Sequence, residues 1–341
     1  MPASSPDLQT EPNPDRVVDA TPVQTISAVI CTRNRGQRLA LALESLVKQT
    51  GIDPSRAEVI VVDNNSTDDT RQVAESFRSR MPFHYVIVPE PAVGLSNARN
   101  RGLDVASGDV VAFLDDDAIA ADSWLAAHFA AYSFAANVGG VMGRILPEWE
   151  SPRPDWLDPL LEPYLTIVDY GDDAFVLERK GLTPAGANMS FRRKAVQSVG
   201  GFDPVFGFGG TLGIPHEETE LARRLRRQGW MLVYWPDAWV RHAVSAERLT
   251  WRWFRRRIFL QGRGDYYLDL KHDGLLRILK RLAFVVVLRG MVFGLVSLVD
   301  FARGDTAHAA RRAAVTLYSW GYVSCLRDTC RLLKNRSCGL K

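Results

Sequence analysis

The chain has 341 residues with 46% hydrophobic content, enough to bury a sizeable core and more than one small domain requires. Its four cysteines, Cys31, Cys325, Cys330 and Cys338, show neither metal-ligand nor disulfide-framework spacing, which excludes a disulfide-stapled scaffold and suits a reducing cytosol. The net charge of +3 conceals an asymmetry: residues 248–341 hold 19 Lys/Arg against 6 Asp/Glu, and the remainder holds 23 against 33.

Residues 1–24 are rich in Pro, Ser, Asp and Thr without apolar periodicity and read as a disordered lead-in. They lack the basic start and apolar core of a signal peptide. Residues 26–31 (ISAVIC) form an apolar, β-branched run predicted as a strand, with Thr32-Arg33-Asn34-Arg35 directly after it. Leu39, Leu43 and Leu46 then recur at helical spacing over 37–47. Residues 58–62 (EVIVV) are a second strand run, ending in Asp63-Asn64-Asn65-Ser66, residue types that mark a turn and a helix N-cap. A third run at 84–88, a helix-like stretch at 96–106 and a fourth run at 110–114 follow. Strands that are continuously apolar, interleaved with helices, imply an α/β fold with a mostly parallel sheet covered on both faces.

The fourth run ends in Asp115-Asp116-Asp117. A carboxylate withdrawn from water must be neutralised, hydrogen-bonded or bound to a metal. The cheapest resolution is a divalent ion held by oxygen ligands at the carboxyl end of a parallel strand, where open α/β sheets bind their ligands. The plain alternative is a solvated acidic turn.

Several motifs occur in order: VICTRNR (29–35), VVDNNSTDDT (61–70), GLSNARNRGL (94–103), VAFLDDDA (111–118), GANMSFRRKAVQSVGGFD (186–203), HEETELARRLRRQGW (216–230) and WPDAWVRH (235–242). Together they resemble the family 2 glycosyltransferases of the GT-A fold, over roughly residues 25–245. That resemblance implies a Rossmann-like nucleotide-binding half, an acceptor half, and inverting transfer from a nucleotide sugar. It implies that Thr32, Arg33 and Asn34 lie near the base and ribose, with Asp63 accepting a hydrogen bond from the base imino group. Helix N-capping together with Asn64 and Ser66 is the structural alternative for Asp63. Arg99 would reach the diphosphate by bidentate hydrogen bonds, a role that Arg101 is equally placed to fill.

The acidic cluster resembles the family's DxD motif, which implies Asp117 as a direct ligand of Mg²⁺ or Mn²⁺ and Asp115 as a contact to ribose or metal-bound water. His242 stands where many GT-A enzymes place a third metal ligand, and an imidazole ligand favours Mn²⁺. At the helix start after the glycine-rich stretch 207–213 the family usually has Glu-Asp, with the aspartate as general base. Here the pair is Glu217-Glu218, so the matching residue is Glu218, and the extra methylene leaves Glu217 open as well. Its place at a helix N-terminus is expected to keep such a base ionised. Acids that only stabilise the helix are the plain alternative. Gly186 and Asn188 match the segment lining the donor-sugar and acceptor sites, one by close backbone approach and the other by hydrogen bonds to sugar hydroxyls. Residues 144–183 fit a long connection over the acceptor, with Trp149 and Trp156 either stacking on sugar faces or packing under the loop.

The tail begins with an aromatic-basic alternation at 250–268, then an apolar stretch at 282–299 interrupted by Arg289. Eighteen residues are marginal for spanning a bilayer, and a central Arg costs roughly 2.5–3.5 kcal/mol on insertion scales. Arg277, Lys280, Arg281, Arg289 and Arg303 fall on about half of one helical wheel, which fits an interfacial helix facing anionic lipid. A helix packed against the catalytic domain, or a dimer contact, is the competing reading.

The expectation is a cytoplasmic enzyme, in peripheral contact with the inner face of the plasma membrane if the tail is interfacial. Its donor would be a nucleotide sugar, UDP-linked, its acceptor a glycan or lipid-linked hydroxyl in cell-surface or exported glycan assembly, and its cofactor Mn²⁺ or Mg²⁺. The segments are 1–24, the catalytic domain 25–247 and the helical region 248–341. A nucleotidyltransferase that makes sugar nucleotides is the enzymatic alternative, but it would want a glycine-rich phosphate loop where CTRNRGQR has one glycine. A membrane-docking protein with a decayed transferase domain is the non-enzymatic one. Nothing resembles a nucleic-acid recognition module.

Overall fold

The computed structural model describes residues 21–180, 182–282 and 291–327. In chain order it forms β1 (Ile26–Thr32), α1 (Gly36–Val47), β2 (Ala57–Asp63), α2 (Thr70–Ser76), β3 (His84–Pro89), α3 (Leu95–Val105), β4 (Val110–Asp115), β5 (Ala118–Ala120) and α4 (Trp124–Ala131). The order continues with β6 (Val138–Trp149), β7 (Phe175–Val176), β8 (Asn188–Arg192), α5 (Arg193–Ser198), α6 (Glu217–Arg227) and β9 (Met231–Val244). Four helices close it: α7 (Trp251–His272), α8 (Gly274–Arg281), α9 (Met291–Ala302) and α10 (Thr306–Ser324).

The four apolar runs become β1 to β4, paired in parallel in the order β3-β2-β1-β4. Every residue of β2 is buried, as a strand covered on both faces requires. Register brings the polar strand ends to one edge, with Thr32 opposite Asp63 and Cys31 opposite Asp115. Beyond β4 the sheet becomes mixed: β8 runs antiparallel to β4 and β6, while β9 is parallel to β6 and antiparallel to β5.

Residues 248–327 are joined to this body through a second apolar core. Phe254 and Ile258 of α7 and Ala310 and Ala314 of α10 pack with Leu157, Leu161 and Leu165 of the connection after β6. Where α7 and α10 cross, a side chain at Gly262 would meet the Tyr318 carbonyl oxygen at 2.1 Å, so only glycine admits the contact. Of the basic wheel, Arg277, Lys280 and Arg281 lie on α8 and Arg303 just past α9, and Arg281 turns inward to Asp265 and Asp269 rather than toward lipid. Arg289 lies outside the described residues, as do 1–20. No described helix is long and apolar enough to cross a membrane. The outer faces of α8 and α9 nevertheless expose Leu275, Leu276, Leu279, Leu295, Leu298 and Phe301.

Candidate active site

The polar strand ends open into a cleft of about 760 Å³. One wall is the sheet edge, another is the connection after β6 through Tyr164 and Tyr170, and the far side is α6 and α7.

The acidic cluster forms because β5 starts immediately after the Asp115-Asp116-Asp117 turn and pairs with β9. Ala118 sits opposite His242, and the Ala243 N–H donates to the Asp117 carbonyl at 2.9 Å. Ligand atoms of Asp115, Asp117 and His242 consequently lie within 4.8 Å of one another. His242 Nε2 is 3.3 Å from Asp117 Oδ1. Two such acceptor atoms need a proton or a cation between them. Here positive charge comes from Arg248, whose Nη2 is 3.2 Å from Asp117 Oδ2 and Nη1 3.3 Å from His242 Nε2. Arg35 Nη1 adds bonds of 2.9 Å to Asp116 and 3.1 Å to Asp117. Two carboxylates and a buried imidazole converging on one point fit a divalent ion with oxygen and nitrogen ligands.

The three carboxyls differ electrically. Burial pushes Asp116 up to about 6, against the pull of Arg35 and with the push of Asp117. Burial also raises Asp115, opposed by Arg99. For Asp117 burial is overcome by the His242 imidazole, Arg248 and Arg35, which hold it well below the usual carboxylate range. Of the three, Asp117 is thus the carboxylate that its neighbours hold ionised.

On the nucleotide side, Thr32 and Arg33 line the cleft, with the Thr32 hydroxyl donating to Asp116 at 2.8 Å. Asn34, at φ 53°, instead staples the first loop to the second: its Oδ1 accepts from the Thr67 N–H at 2.7 Å. Asp63 is buried, and its Oδ1 accepts from the Ser66 N–H at 3.0 Å. The turn-capping role therefore occupies one oxygen of Asp63, and its Oδ2 has no hydrogen bond among the described residues.

Arg99 departs from its expected role. Its guanidinium is buried and spent on acids: Nη1 bonds Glu217 at 2.8 Å, while Nη2 reaches Asp115 at 3.4 Å and the Gly186 carbonyl at 3.2 Å. Gly186 is needed for this, since a Cβ there would come within 2.7 Å of Nη2. The close approach is to Arg99, and Arg101 does not line the cleft. The pairing also separates the two glutamates. Both line the cleft, but Glu217 is buried against Arg99, whereas Glu218 is half-buried and free of that pair. Burial and the charge of Glu217 push the Glu218 carboxyl up to about 8, with Arg99 opposing. The helix N-terminus does not keep it ionised, because burial and a neighbouring anion outweigh a dipole effect of typically 0.3–1 kcal/mol.

Asn188 is the other departure. It is fully buried, and its Oδ1 accepts from Trp124 Nε1 at 2.8 Å and sits 2.9 Å from His128 Nε2. Its Nδ2 donates to the carbonyls of Arg144 and Ala238 at 2.9 and 2.7 Å. An amide with its bonds filled inside the core joins the sheet to α4 and is not offered to a sugar. Trp149 and Trp156 pack in the second core, Trp156 against Trp251 and Phe254.

Besides Arg33 and the acid-paired Arg99, the cations that line the cleft are Arg35, Arg248 and Arg257. Burial lowers Arg257, with Glu218 and Glu217 opposing, and its Nη1 bonds Gln261 at 2.7 Å. The motifs gave no signal for Arg248 or Arg257, which lie beyond the last of them. Arg35 stood inside the first motif and was visible.

Residues 27–200 match the family model described as glycosyl transferase family 2. The chain is 28% identical over 249 residues to glucosyl-dolichyl phosphate glucuronosyltransferase of Haloferax volcanii, covering 72% of this chain and 77% of that protein. It is 29% identical over 235 residues to the succinoglycan biosynthesis protein ExoM of Rhizobium meliloti, covering 68% and 71%. In fold it is similar to the mannosyltransferase PcManGT of Pyrobaculum calidifontis, solved with GDP-Man and Mn²⁺, at a TM-score of 0.59 and 16% identity over 91% of this chain and 90% of that one. These findings set aside a nucleotidyltransferase. The chain belongs to glycosyl transferase family 2 and has the α/β, GT-A type of fold.

Proposed function

We propose that this glycosyltransferase moves a sugar from a nucleoside diphosphate donor to an acceptor hydroxyl by metal-assisted single displacement, inverting the anomeric carbon. The observation that carries the reading is the convergence of Asp115, Asp117 and His242 at one end of a cleft that Glu218 lines from the other side. A divalent ion bound by the triad supplies Lewis-acid stabilisation of the departing diphosphate. Arg35 and Arg248 stand beside the triad to take up the same developing charge. Glu218 accepts the proton of the attacking hydroxyl. Its raised pKa makes it a strong base once ionised, suited to operation near neutral pH.

Asp63 keeps one oxygen for a ring imino N–H, which uracil and guanine carry at their pairing edges and adenine and cytosine do not; of these two bases the family resemblance favours uracil, so the proposed donor is UDP-linked. The relatives named above act, by their names, on a dolichyl phosphate-linked sugar and in succinoglycan biosynthesis. A lipid-linked glycan is accordingly the proposed acceptor. The exposed leucines of α8 and α9 and the basic charge of residues 248–341 support a peripheral seat on an anionic membrane face, with assembly of an exported or cell-surface glycan as the role.

The test is a panel of nucleotide sugars scored for Mn²⁺-dependent thermal protection and for transfer or hydrolysis. Protection by UDP-sugars only with metal supports the reading. Equal protection in EDTA would sink the metal role, and preference for GDP-sugars would sink the uracil assignment.

A further inference from the structure

Glu217 and Glu218 open α6, and the residue that aims this helix start is held from outside the catalytic sheet. His216 is a non-glycine residue at φ 96° and is buried. Such a backbone is unfavourable for a residue with a Cβ and persists only where its surroundings over-determine it. Those surroundings come from α7. His216 Nε2 lies 3.2 Å from Asp265 Oδ1 and 3.3 Å from the Gln261 carbonyl oxygen. The ring rests on Gly264, where a Cβ would come within 2.0 Å of Cδ2.

Asp265 is itself braced. Its Oδ2 accepts from Arg281 Nη2 of α8 at 3.0 Å and from the Tyr318 hydroxyl of α10. Arg281 Nη1 reaches Asp269 at 2.6 Å, and Asp269 also accepts from the Tyr322 hydroxyl at 2.9 Å. Three C-terminal helices thus meet in one polar cluster whose outermost bond is to the residue before the two glutamates. A second tie lies one turn along α6, where buried Glu220 bonds Lys271 of α7 and Arg224. A helix needing only to pack would not require a strained, hydrogen-bonded histidine at its first turn.

We infer that His216 is a positioning residue: its imidazole, braced by Asp265, Arg281 and Tyr318, fixes the left-handed backbone that points Glu218 into the cleft. The catalytic centre is therefore completed by helices α7, α8 and α10 and not by the sheet alone. This rests on the proposed role of Glu218 as base. If the brace is removed, residue 216 relaxes toward ordinary φ, the following peptides rotate, and the carboxylate is displaced while the metal end of the cleft stays intact.

The full-length chain is tested as His216→Gly, which loses the ring and frees the backbone at 216 to leave the left-handed region, and as His216→Gln, which returns an amide N–H at the position of Nε2. Gly264→Ala attacks the seat of the ring independently. Thermal shift with Mn²⁺ plus UDP, and with Mn²⁺ plus GDP, reports the nucleotide end of the cleft. Turnover of the donor selected by the panel reports the base. The expected result for His216→Gly is a kcat lower by roughly 10²-fold, the cost of about a 1 Å misplacement, with donor KM and the nucleotide-induced shift unchanged. His216→Gln should recover most of that loss, and Gly264→Ala should reproduce it. Wild-type kcat in His216→Gly overturns the inference. So does a loss of nucleotide response in proportion to kcat, which would mean general damage to the fold. Glu218→Gln is run beside them: if it is active, the base assignment falls, whereas an inactive Glu218→Gln with a fully active His216→Gly defeats only the positioning role.

Discussion

Asp117 and His242 are brought to 3.3 Å by strand register: β5 is three residues long, begins next to Asp117, and pairs antiparallel with β9 so that Ala118 faces His242. The consequence is that two of the proposed metal ligands are set by one short ladder. Asp117→Asn should abolish transfer and the Mn²⁺-dependent part of nucleotide binding, because it removes a ligand charge and places an amide donor against the cation. The fold should persist, since Asp116 still bonds Thr32 and Arg35. Thermal shift with and without Mn²⁺ reads both outcomes, and a variant still responding to metal would remove Asp117 from the ligand set.

With Glu218 raised to about 8, kcat/KM should climb as pH rises through that value, as the base ionises. Glu218→Gln should lose that limb and lower turnover by on the order of 10²–10⁴-fold with donor binding retained. Linkage gives an independent reading. A carboxyl protonated more readily in the folded state costs stability as pH rises from its ordinary value toward 8. Glu218→Gln should therefore gain in melting temperature relative to wild type across that interval. A constant difference with pH would contradict the shifted carboxyl.

Glu217→Gln should behave differently from its neighbour. It removes the negative charge that faces buried Arg99 across a 2.8 Å bond, and breaking a buried ion pair typically costs roughly 3–5 kcal/mol, less where the amide oxygen still accepts. Chemical denaturation should show Glu217→Gln as the less stable of the two glutamine variants. The opposite order would mean that Glu217 is the freer carboxylate and the better base.

Asn188→Ala should damage the protein before it damages catalysis. It orphans Trp124 Nε1 and two buried carbonyls, at about 1–3 kcal/mol for each unsatisfied group. A large fall in melting temperature is expected. Intact stability with a raised donor KM would restore the sugar-binding role.

Full-length protein should sediment with vesicles containing anionic lipid, and salt should weaken this by screening contacts worth about 1 kcal/mol per basic residue. Leu275→Ser with Leu276→Ser and Leu279→Ser should reduce sedimentation at every salt concentration, because those side chains are exposed and support no core. Truncation after Lys271 is a poorer tool: it leaves buried Asp269, and Asp265 beside it, without Arg281, Tyr318 and Tyr322, so loss of solubility is expected. Equal recovery of wild type and the triple variant with vesicles would refute the membrane seat.

The strand order and the mixed half of the sheet were not legible in the chain. The first four strands, their parallel pairing and the polar edge were, because continuous apolar runs and the polar clusters after them are local signals. The same holds for the acidic triplet, His242 and the two glutamates, whose motif order survives without knowledge of the fold. What tertiary structure decided is which charge meets which. Arg99 looked free for a phosphate in its helix, but the fold brings the start of α6 and the end of β4 to it and spends it on Glu217 and Asp115. Asn188 looked available in a strand, but the sheet buries it beneath α4. The helix dipole at Glu218 is local, whereas the burial and the neighbouring anion that overrule it depend on the whole cleft. Arg248, Arg257 and the Arg281 brace belong to a tail whose composition spoke only of lipid. Their partners lie far away in sequence, and a charge's partner is fixed by long-range register that no local pattern records.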